Sequence, residues 1–399
     1  MTKNNMSAAG GLALILAGLV AAPSLAAEST SESFLSLALS GRAMLDYTNA
    51  HAQNADFDLV DLEVRRLYLG LSGKLGDQFS FAVTGSLGDD GNVGLVGATI
   101  DWKPKGSSFK FRVGQFKTPM SLDESTSSKY TSVFERAAFT DAVQINRRLG
   151  FGIFNSGDNY TFSAGIFGGN LEQAPFDSGT AIAARATWTP VKSKDRVFHL
   201  GGSFRTRNQS QSQKDIRYRQ RPFSHISNRI ISTGRLGGKD LVLGFESAFI
   251  YKNMWAAGEY SLTKADCSTC ASNPVFDGYY LETGIFFGGR KRYSKGSFSR
   301  PKVFKPVNEG GDGALAFVVR YDGLDLNDAT IAGGRLDTII LGVDWYPTDH
   351  TRLGINYFNA NATLGDSGSG LGSKFNKLRR SGVVGEDVEG VTIRLQYDF

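Results

Sequence analysis

The sequence predicts an all-β fold, a transmembrane antiparallel β-barrel of about 16 strands with inward-folded loops. Apolar residues recur at every second position, the pattern of strands with one apolar and one polar face. After residue 26, no apolar run approaches the length of about 18 residues that a membrane-spanning helix needs. The composition agrees, with 48 Gly, 28 Phe and 14 Tyr but only 10 Pro. In a barrel that crosses lipid, the apolar face lies outside and the polar face lines water.

Residues 1–26 predict a secretory signal peptide. Lys3 precedes an apolar run over residues 10–22, and Ser24, Leu25 and Ala26 resemble a cleavage site. Cleavage after Ala26, or one bond later, leaves residues 27–399 as a single barrel domain. Without Lys3 this domain has 43 Lys and Arg (44 minus 1) against 39 Asp and Glu. This small positive net charge indicates neither a nucleic-acid-binding protein nor a polybasic membrane anchor.

Sixteen segments carry the alternating pattern, and an even number allows the barrel to close without an edge. They are centred on 35–39, 67–71, 79–83, 96–102, 109–113, 151–155, 160–166, 182–188, 198–204, 241–249, 254–262, 279–287, 315–321, 339–345, 353–357 and 391–399. The last segment, Val391–Phe399, alternates without exception, as expected of a closing barrel strand. A strand of a soluble β-sandwich is the alternative for this stretch alone.

Connections are predicted to be short after even-numbered strands and long after odd-numbered ones, with the short turns in the periplasm. Trp102, Trp188, Trp345 and Tyr346 lie at the short-turn ends of strands. An aromatic girdle at the membrane interface is expected there.

The residues on the polar face of the strands carry charges of both signs. Eight arginines are predicted to point into the lumen: Arg42, Arg66, Arg112, Arg185, Arg205, Arg320, Arg352 and Arg394. The same face carries six acidic residues: Asp46, Glu246, Glu259, Glu282, Asp344 and Asp398. Some arginines must therefore be paired wall charges. Together these residues predict a wide polar lumen with a modest positive excess, which favours anions.

Two connections are predicted to fold into the barrel. Residues 115–148 are long but rich in aromatic residues, which argues against disorder, and Lys117, Asp123, Glu124 and Lys129 are its candidate constriction residues. Residues 288–312 form a long basic segment on the side where turns should be short. An exposed basic loop is the alternative, but we expect the segment to enter the pore, where its lysines bind anions as point charges.

Five stretches resemble the outer-membrane family of phosphate-selective porins O and P. They are LEVRRLYLGLSGKLGDQFSF (62–81), FKFRVGQFKTPMSLDESTSSKYTSVFERAAF (109–139), GYYLETGIFFGGRKRYSKGSFSRPKVFKP (278–306), LGVDWYPTDHTRLGINYF (341–358) and VTIRLQYDF (391–399). With the spacing between them, the resemblance covers nearly all of the chain after the signal. It implies a trimeric barrel of 16 strands, a constricting third loop, an arginine ladder and a central lysine cluster for phosphate-like anions.

Carried onto this chain, the resemblance assigns Arg42 and Arg66 to the ladder, and Lys295 and Lys305 to the lysine cluster. We add Lys302 and Arg112 as candidate anion-binding residues. Where the family has a third lysine of this cluster, this chain has Glu124. The family also has an acidic residue in the strand after the second loop, and Val96 lies at about that position in this chain. A carboxylate at residue 124 repels a phosphate dianion and opposes tight phosphate selectivity.

The sequence therefore predicts an outer-membrane porin for passive diffusion of small anions, with phosphate or polyphosphate among the candidates. A weakly selective general diffusion porin is the alternative, in which Asp123 and Glu124 face arginines across the lumen. Expected partners are outer-membrane lipid, lipopolysaccharide and two further copies of the chain, with no cofactor or metal. An enzyme is disfavoured because, of four histidines, only His225 has a nearby serine. Cys267 and Cys270 predict a local disulfide.

Overall fold

The barrel predicted from the alternating pattern is present. The computed structural model describes residues 35–55, 57–88, 92–171, 179–210, 216–328, 330–366 and 370–399. Sixteen strands form one closed antiparallel barrel in chain order, and the last pairs with the first, with Arg42 opposite Asp398. The predicted fold class and strand number are confirmed. The predicted signal peptide lies outside the described residues.

The barrel strands are β1 (Leu35–Ala52), β2 (Phe57–Leu75), β3 (Phe79–Leu87), β4 (Val93–Trp102), β5 (Phe109–Lys117), β6 (Arg147–Ser156), β7 (Tyr160–Phe167), β8 (Thr180–Lys192), β9 (Arg196–Asn208), β12 (Lys239–Tyr251), β13 (Met254–Ala265), β14 (Val275–Phe287), β17 (Ala314–Asp328), β18 (Ile331–Thr348), β19 (Thr351–Leu364) and β20 (Gly385–Asp398). Two small hairpins pair β10 (Arg219–Gln220) with β11 (Ile231–Ser232), and β15 (Gly289–Ser294) with β16 (Ser297–Val303). The helices are α1 (Leu122–Ser125), α2 (Ala138–Ala142), α3 (Ser373–Arg380) and a 3₁₀ turn (Val307–Glu309). None of the described helices combines the length and the hydropathy of a membrane span.

The two faces of the strands differ as the pattern predicts. Leu395 is 55% exposed on the outer surface, whereas its neighbour Arg394 is completely buried inside. Trp102, Trp188 and Trp345 are also exposed on the outer surface, as expected of an aromatic girdle. The assignment of Tyr346 to that girdle is wrong. Its side chain is buried, because it is the next residue along β18 after the outward Trp345.

The two ends of the barrel have connections of different length. At the short-turn end most connections are brief, such as 252–253 and 349–350, and the segment 288–313 is the predicted exception. At the long-loop end the prediction is only partly correct. Residues 53–56 and 329–330 are short connections, because the strands on either side continue well beyond the apolar core of their pattern.

Two β-bulges change which residues face the lumen, compared with what a strict alternation predicts. Between Met44 and Asp46 the register of β1 with β2 shifts, so that Arg65 and Arg66 both lie on the inner side. A second bulge lies between Thr84 and Gly85, opposite Val96. Val96, expected on the lipid side, therefore faces the lumen.

Three segments fill much of the barrel interior. We call residues 118–146, which include α1 and α2, the constriction loop. The pair β15 and β16 is the inner hairpin, which enters from the short-turn end. The described residues of the connection 209–238, which include β10 and β11, form the outer insertion at the long-loop end.

Candidate functional site

Buried polar side chains of the barrel wall hold the constriction loop in place. Arg352 donates to two loop carbonyls at 2.9 Å each, and Arg394 donates to a third at 3.2 Å. In the opposite sense, Glu259 accepts the backbone N–H groups of Leu122 and Asp123 at 2.9 and 2.6 Å. These contacts satisfy the backbone of an irregular segment inside a barrel. The prediction that this loop packs inside the barrel is confirmed.

Five of the eight predicted lumen arginines are buried beneath the inward segments and paired with acids. The pairs are Arg185 with Glu246, Arg205 with Asp240, Arg320 with Asp123, Glu282 and Asp322, Arg352 with Asp344, and Arg394 with Asp46. Buried charges persist in proteins when they are paired and hydrogen-bonded. These arginines therefore organise the wall and the loop, and the water path is narrower than the predicted wide lumen.

The inner hairpin folds back into the barrel, as predicted for residues 288–312. Its tip is a two-residue turn in which Lys295 and Gly296 both have positive φ, 47° and 79°. The carbonyl of Gly296 accepts a hydrogen bond from Arg185 at 2.6 Å. The Tyr293 hydroxyl lies 2.6 Å from Nδ1 of His199. The hairpin is thus fastened to β8 and β9.

Lys291 joins the inner hairpin to the constriction loop. Its ammonium group donates to the carbonyl of Tyr130 at 3.3 Å and to the hydroxyl of Ser132. It also lies over the rings of Trp255 and Phe298, 4.9 and 4.7 Å from their centroids. Burial lowers the pKa of Lys291 to about 8. The hairpin and the loop are therefore one packed unit.

The inward segments leave a polar cavity of about 750 Å³ beside β1, β2 and β6. Eight cationic side chains line it: Arg42, Arg65, Arg66, Lys117, Arg136, Arg147, Arg221 and Arg229. Four carboxylates line it: Glu124, Glu135, Asp141 and Asp322. Eight minus four gives a formal excess of four positive charges among these lining residues.

All four carboxylates of the cavity have cationic partners. The pairs are Glu124 with Lys117 (3.2 Å) and Arg136 (2.8 Å), Glu135 with Arg65 (2.9 Å), Asp141 with Arg229 (2.6 Å), and Asp322 with Arg320 (3.6 Å). Burial alone would raise the pKa of Glu135, but its ion pair with Arg65 lowers it to about 2. Glu135 therefore stays ionised near neutral pH.

Three cavity arginines have no carboxylate within 4.0 Å in the part of the chain that the structure describes: Arg42, Arg66 and Arg147. The Arg42 guanidinium lies 4.5 Å from the ring centroid of Tyr68 and donates to the hydroxyl of Ser128. Arg42 and Arg66 come from the paired strands β1 and β2, whereas Arg147 begins β6. Arg42 and Arg147 are close enough to repel each other.

The structure brings together only part of the predicted site. Arg42, Arg66, Lys117 and Glu124 line the cavity. Arg112 lies nearer the short-turn end, where Asp101 accepts two hydrogen bonds from its guanidinium at 2.6 and 2.7 Å. It does not line this cavity.

The predicted lysine cluster is not assembled. Lys295 is at the tip of the inner hairpin and interacts electrostatically with Lys110 of β5. Lys302 pairs with Asp349 at 3.3 Å near the base of the hairpin, and Lys305 follows β16 there. Tip and base are roughly 20 Å apart at the rise of a β-strand. The ten-residue spacing of Lys295 and Lys305 therefore separates them along the barrel.

Two predicted constriction residues serve the loop and do not line the cavity. Asp123 is buried and accepts the backbone N–H of Ala137 at 2.9 Å. Lys129 pairs with Asp398 of β20 at 3.3 Å. Neither side chain belongs to the cavity lining.

Sequence reasoning missed five cationic residues of the cavity: Arg65, Arg136, Arg147, Arg221 and Arg229. Arg65 was hidden by the bulge in β2. The outer insertion carries arginine at alternate positions, 217, 219 and 221, a signal that could have identified it as a further inward segment. Its Arg229 reaches Asp141 of the constriction loop at 2.6 Å.

Other candidate chemistry is absent from the described residues. His225 bonds Glu63 at 2.9 Å, while the neighbouring Ser224 hydroxyl has no hydrogen-bond partner there, so the two do not form a catalytic pair. No cluster of three or more metal-ligating side chains occurs among them. Cys267 and Cys270 form the predicted disulfide at the long-loop end, with Cα atoms 5.3 Å apart.

Comparisons with known proteins agree with this architecture. Residues 37–399 match the model of the family described as phosphate-selective porin O and P. Porin O of Pseudomonas aeruginosa is 23% identical over 418 residues, covering 93% of this chain and 90% of that protein. An uncharacterized protein of Caulobacter vibrioides is 34% identical over 309 residues, covering 74% of this chain, which spans only 62% of that relative's length.

Solved structures show the same fold at low sequence identity. An anion-selective porin from Comamonas acidovorans has a TM-score of 0.60 and 13% identity, covering 92% of this chain and all of that one. OmpT of Vibrio cholerae has a TM-score of 0.57 and 12% identity, covering 93% of this chain and all of that one. These neighbours support the fold of a porin barrel.

Proposed function

Because the chain belongs to the family of phosphate-selective porins O and P, we propose that it is a water-filled outer-membrane channel for the passive diffusion of small anions. The excess of four positive charges around the cavity is the observation that carries this proposal. Fixed positive charge raises the local concentration of anions and lowers that of cations. The family and the fold indicate a channel rather than an enzyme.

The pairing of the acids supports an anion-selective channel over the weakly selective alternative. That alternative needs Asp123 and Glu124 to face arginines across open water. Asp123 is buried, and Glu124 is held between Lys117 and Arg136. Among the described lining residues, every carboxylate already has a cationic partner, so none is free to balance the three arginines without acidic partners.

The surroundings of the channel follow from its surface and its family. The outer surface of the barrel is apolar along the strands, which suits lipid. We extend to this chain the homotrimer that the family resemblance implies, together with lipopolysaccharide as an outer-leaflet neighbour. Export by a signal peptide cleaved after Ala26 belongs to the same proposal.

A liposome flux assay tests the proposed function. Vesicles containing the purified protein are mixed with anionic, neutral or cationic solutes of matched size, and influx is followed by swelling. The anionic solute should enter fastest, and the variant Arg42→Gln/Arg66→Gln/Arg147→Gln should lose most of that preference. Arg335→Gln is the control, because Arg335 lies outside the cavity and pairs with Asp337. Equal influx of anions and cations in the unmodified protein contradicts the proposal.

A further inference from the structure

We propose that the solutes of this channel include small organic anions with two or three carboxylate groups, bound between Arg42 and Arg66 on one side and Arg147 on the other. This inference rests on the proposed function and specifies its solute class. It follows from the position of the unpaired cations, their chemical type and the size of the cavity.

The unpaired cations approach the cavity from separate parts of the barrel wall. Arg42 and Arg66 are diagonal neighbours, since Arg42 lies opposite Tyr68 and Met44 lies opposite Arg66 in the β1–β2 pair. Arg147 is opposite Lys117 in the β5–β6 pair, further around the wall. A solute with two separated anionic groups can contact both positions at once. A solute with one anionic group has to share that group between them, since Arg42 and Arg147 are close enough to repel each other.

The unpaired cations are guanidinium groups and not ammonium groups. A guanidinium is a planar fork that matches a carboxylate with two parallel hydrogen bonds, whereas lysine is a compact point charge. Lys117 is the single lysine among the lining residues, and Glu124 holds it at 3.2 Å. Lys295 and Lys305 lie outside the cavity lining. The lysine-based phosphate site expected from the family is therefore replaced by arginine forks.

The cavity is larger than a small inorganic anion requires. If each of the five heavy atoms of phosphate takes the roughly 30 Å³ of a water molecule, phosphate occupies about 150 Å³. The cavity measures about 750 Å³, within the range typical of organic ligands. Hydroxyl-bearing residues complete its lining: Ser86, Ser125, Ser127, Ser128 and Ser224. The Ser224 hydroxyl has no hydrogen-bond partner among the described residues.

Block of the chloride current in planar bilayers tests the solute class. Succinate and hydrogen phosphate are compared at pH 8, where both are dianions, with acetate as the single-carboxylate probe. Succinate should block at a concentration about tenfold lower than acetate, the effect expected of one additional charged hydrogen-bonded contact. It should also block at a lower concentration than hydrogen phosphate. Block by hydrogen phosphate at the lower concentration overturns the inference.

A variant tests the role of the second contact. Arg147→Gln should raise the blocking concentration of succinate about tenfold while changing that of acetate little, and Arg335→Gln should change neither. An unchanged ratio of the two blocking concentrations in Arg147→Gln also overturns the inference. The proposed function fails separately, if the open channel shows no preference for chloride over potassium. If the channel prefers chloride but is blocked at the lowest concentration by phosphate, the proposed function stands and only the inference about carboxylate solutes is rejected.

Discussion

Replacing Glu124 with glutamine should make the channel more selective for anions. Glu124 lines the cavity between Lys117 at 3.2 Å and Arg136 at 2.8 Å, and it offsets their charge. Glutamine has nearly the same shape and still accepts a hydrogen bond. Counted with Lys117 protonated, the formal excess around the cavity then rises from four (eight minus four) to five (eight minus three) positive charges.

The expected size of this effect follows from Coulomb's law. A unit charge about 5 Å from the solute path interacts through water with roughly 0.8 kcal/mol. Screening at 0.1 M salt, with a Debye length of about 10 Å, reduces this to roughly 0.5 kcal/mol. The anion concentration in the cavity then rises about 2.3-fold and the cation concentration falls about 2.3-fold. The ratio of anion to cation permeability should increase about fivefold.

The assay is the permeability ratio from zero-current potentials of Glu124→Gln and unmodified channels in the same KCl gradient. Glu389→Gln is the matched control, because Glu389 lies on the outer surface, where its carboxylate accepts from the Tyr357 hydroxyl at 3.2 Å. A ratio that stays the same or falls in Glu124→Gln, with barrel circular dichroism unchanged, would refute the electrostatic reasoning.

Three further predictions concern the inner hairpin and export. The pKa of Lys291 is about 8 in the folded protein and near 10.5 when the side chain is exposed. Because the folded state loses this proton first as the pH rises, the free energy of unfolding relative to Lys291→Met should increase between pH 8 and 10.5. A difference that stays flat over that interval contradicts the prediction. Tyr293→Phe removes the hydroxyl that contacts His199 at 2.6 Å and Thr189 at 3.2 Å, and should cost about 1–3 kcal/mol in detergent unfolding, whereas Tyr251→Phe on the outer surface should cost little. Mass spectrometry of the purified protein should show loss of residues 1–26; an intact N-terminus contradicts the predicted signal peptide.

The barrel was predictable because lipid imposes a strict pattern on each strand. Residues such as Leu395 and Arg394 must face opposite environments, and that alternation is visible in the sequence. The inward path of residues 115–148 and 288–312 was also predictable, since aromatic and basic residues of that density do not suit an exposed turn. The length of several strands was not, because polar residues continue a strand beyond the apolar zone.

The details of the site depend on features that alternation cannot show. A bulge adds one residue and leaves no mark in the sequence, so the inward positions of Arg65 and Val96 were hidden. The pairing of Glu124 with Lys117 and Arg136 depends on the folded path of the constriction loop. The family resemblance assigned Lys295 and Lys305 to one cluster, but the hairpin between them places its tip and base at different depths.

The zero-current potential of single unmodified channels in a KCl gradient tests the central claim most directly. Four excess positive charges around the cavity should move this potential toward the chloride equilibrium value. A potential near zero, or one displaced toward the potassium equilibrium value, would contradict the claim that arginine without acidic partners governs passage through this barrel.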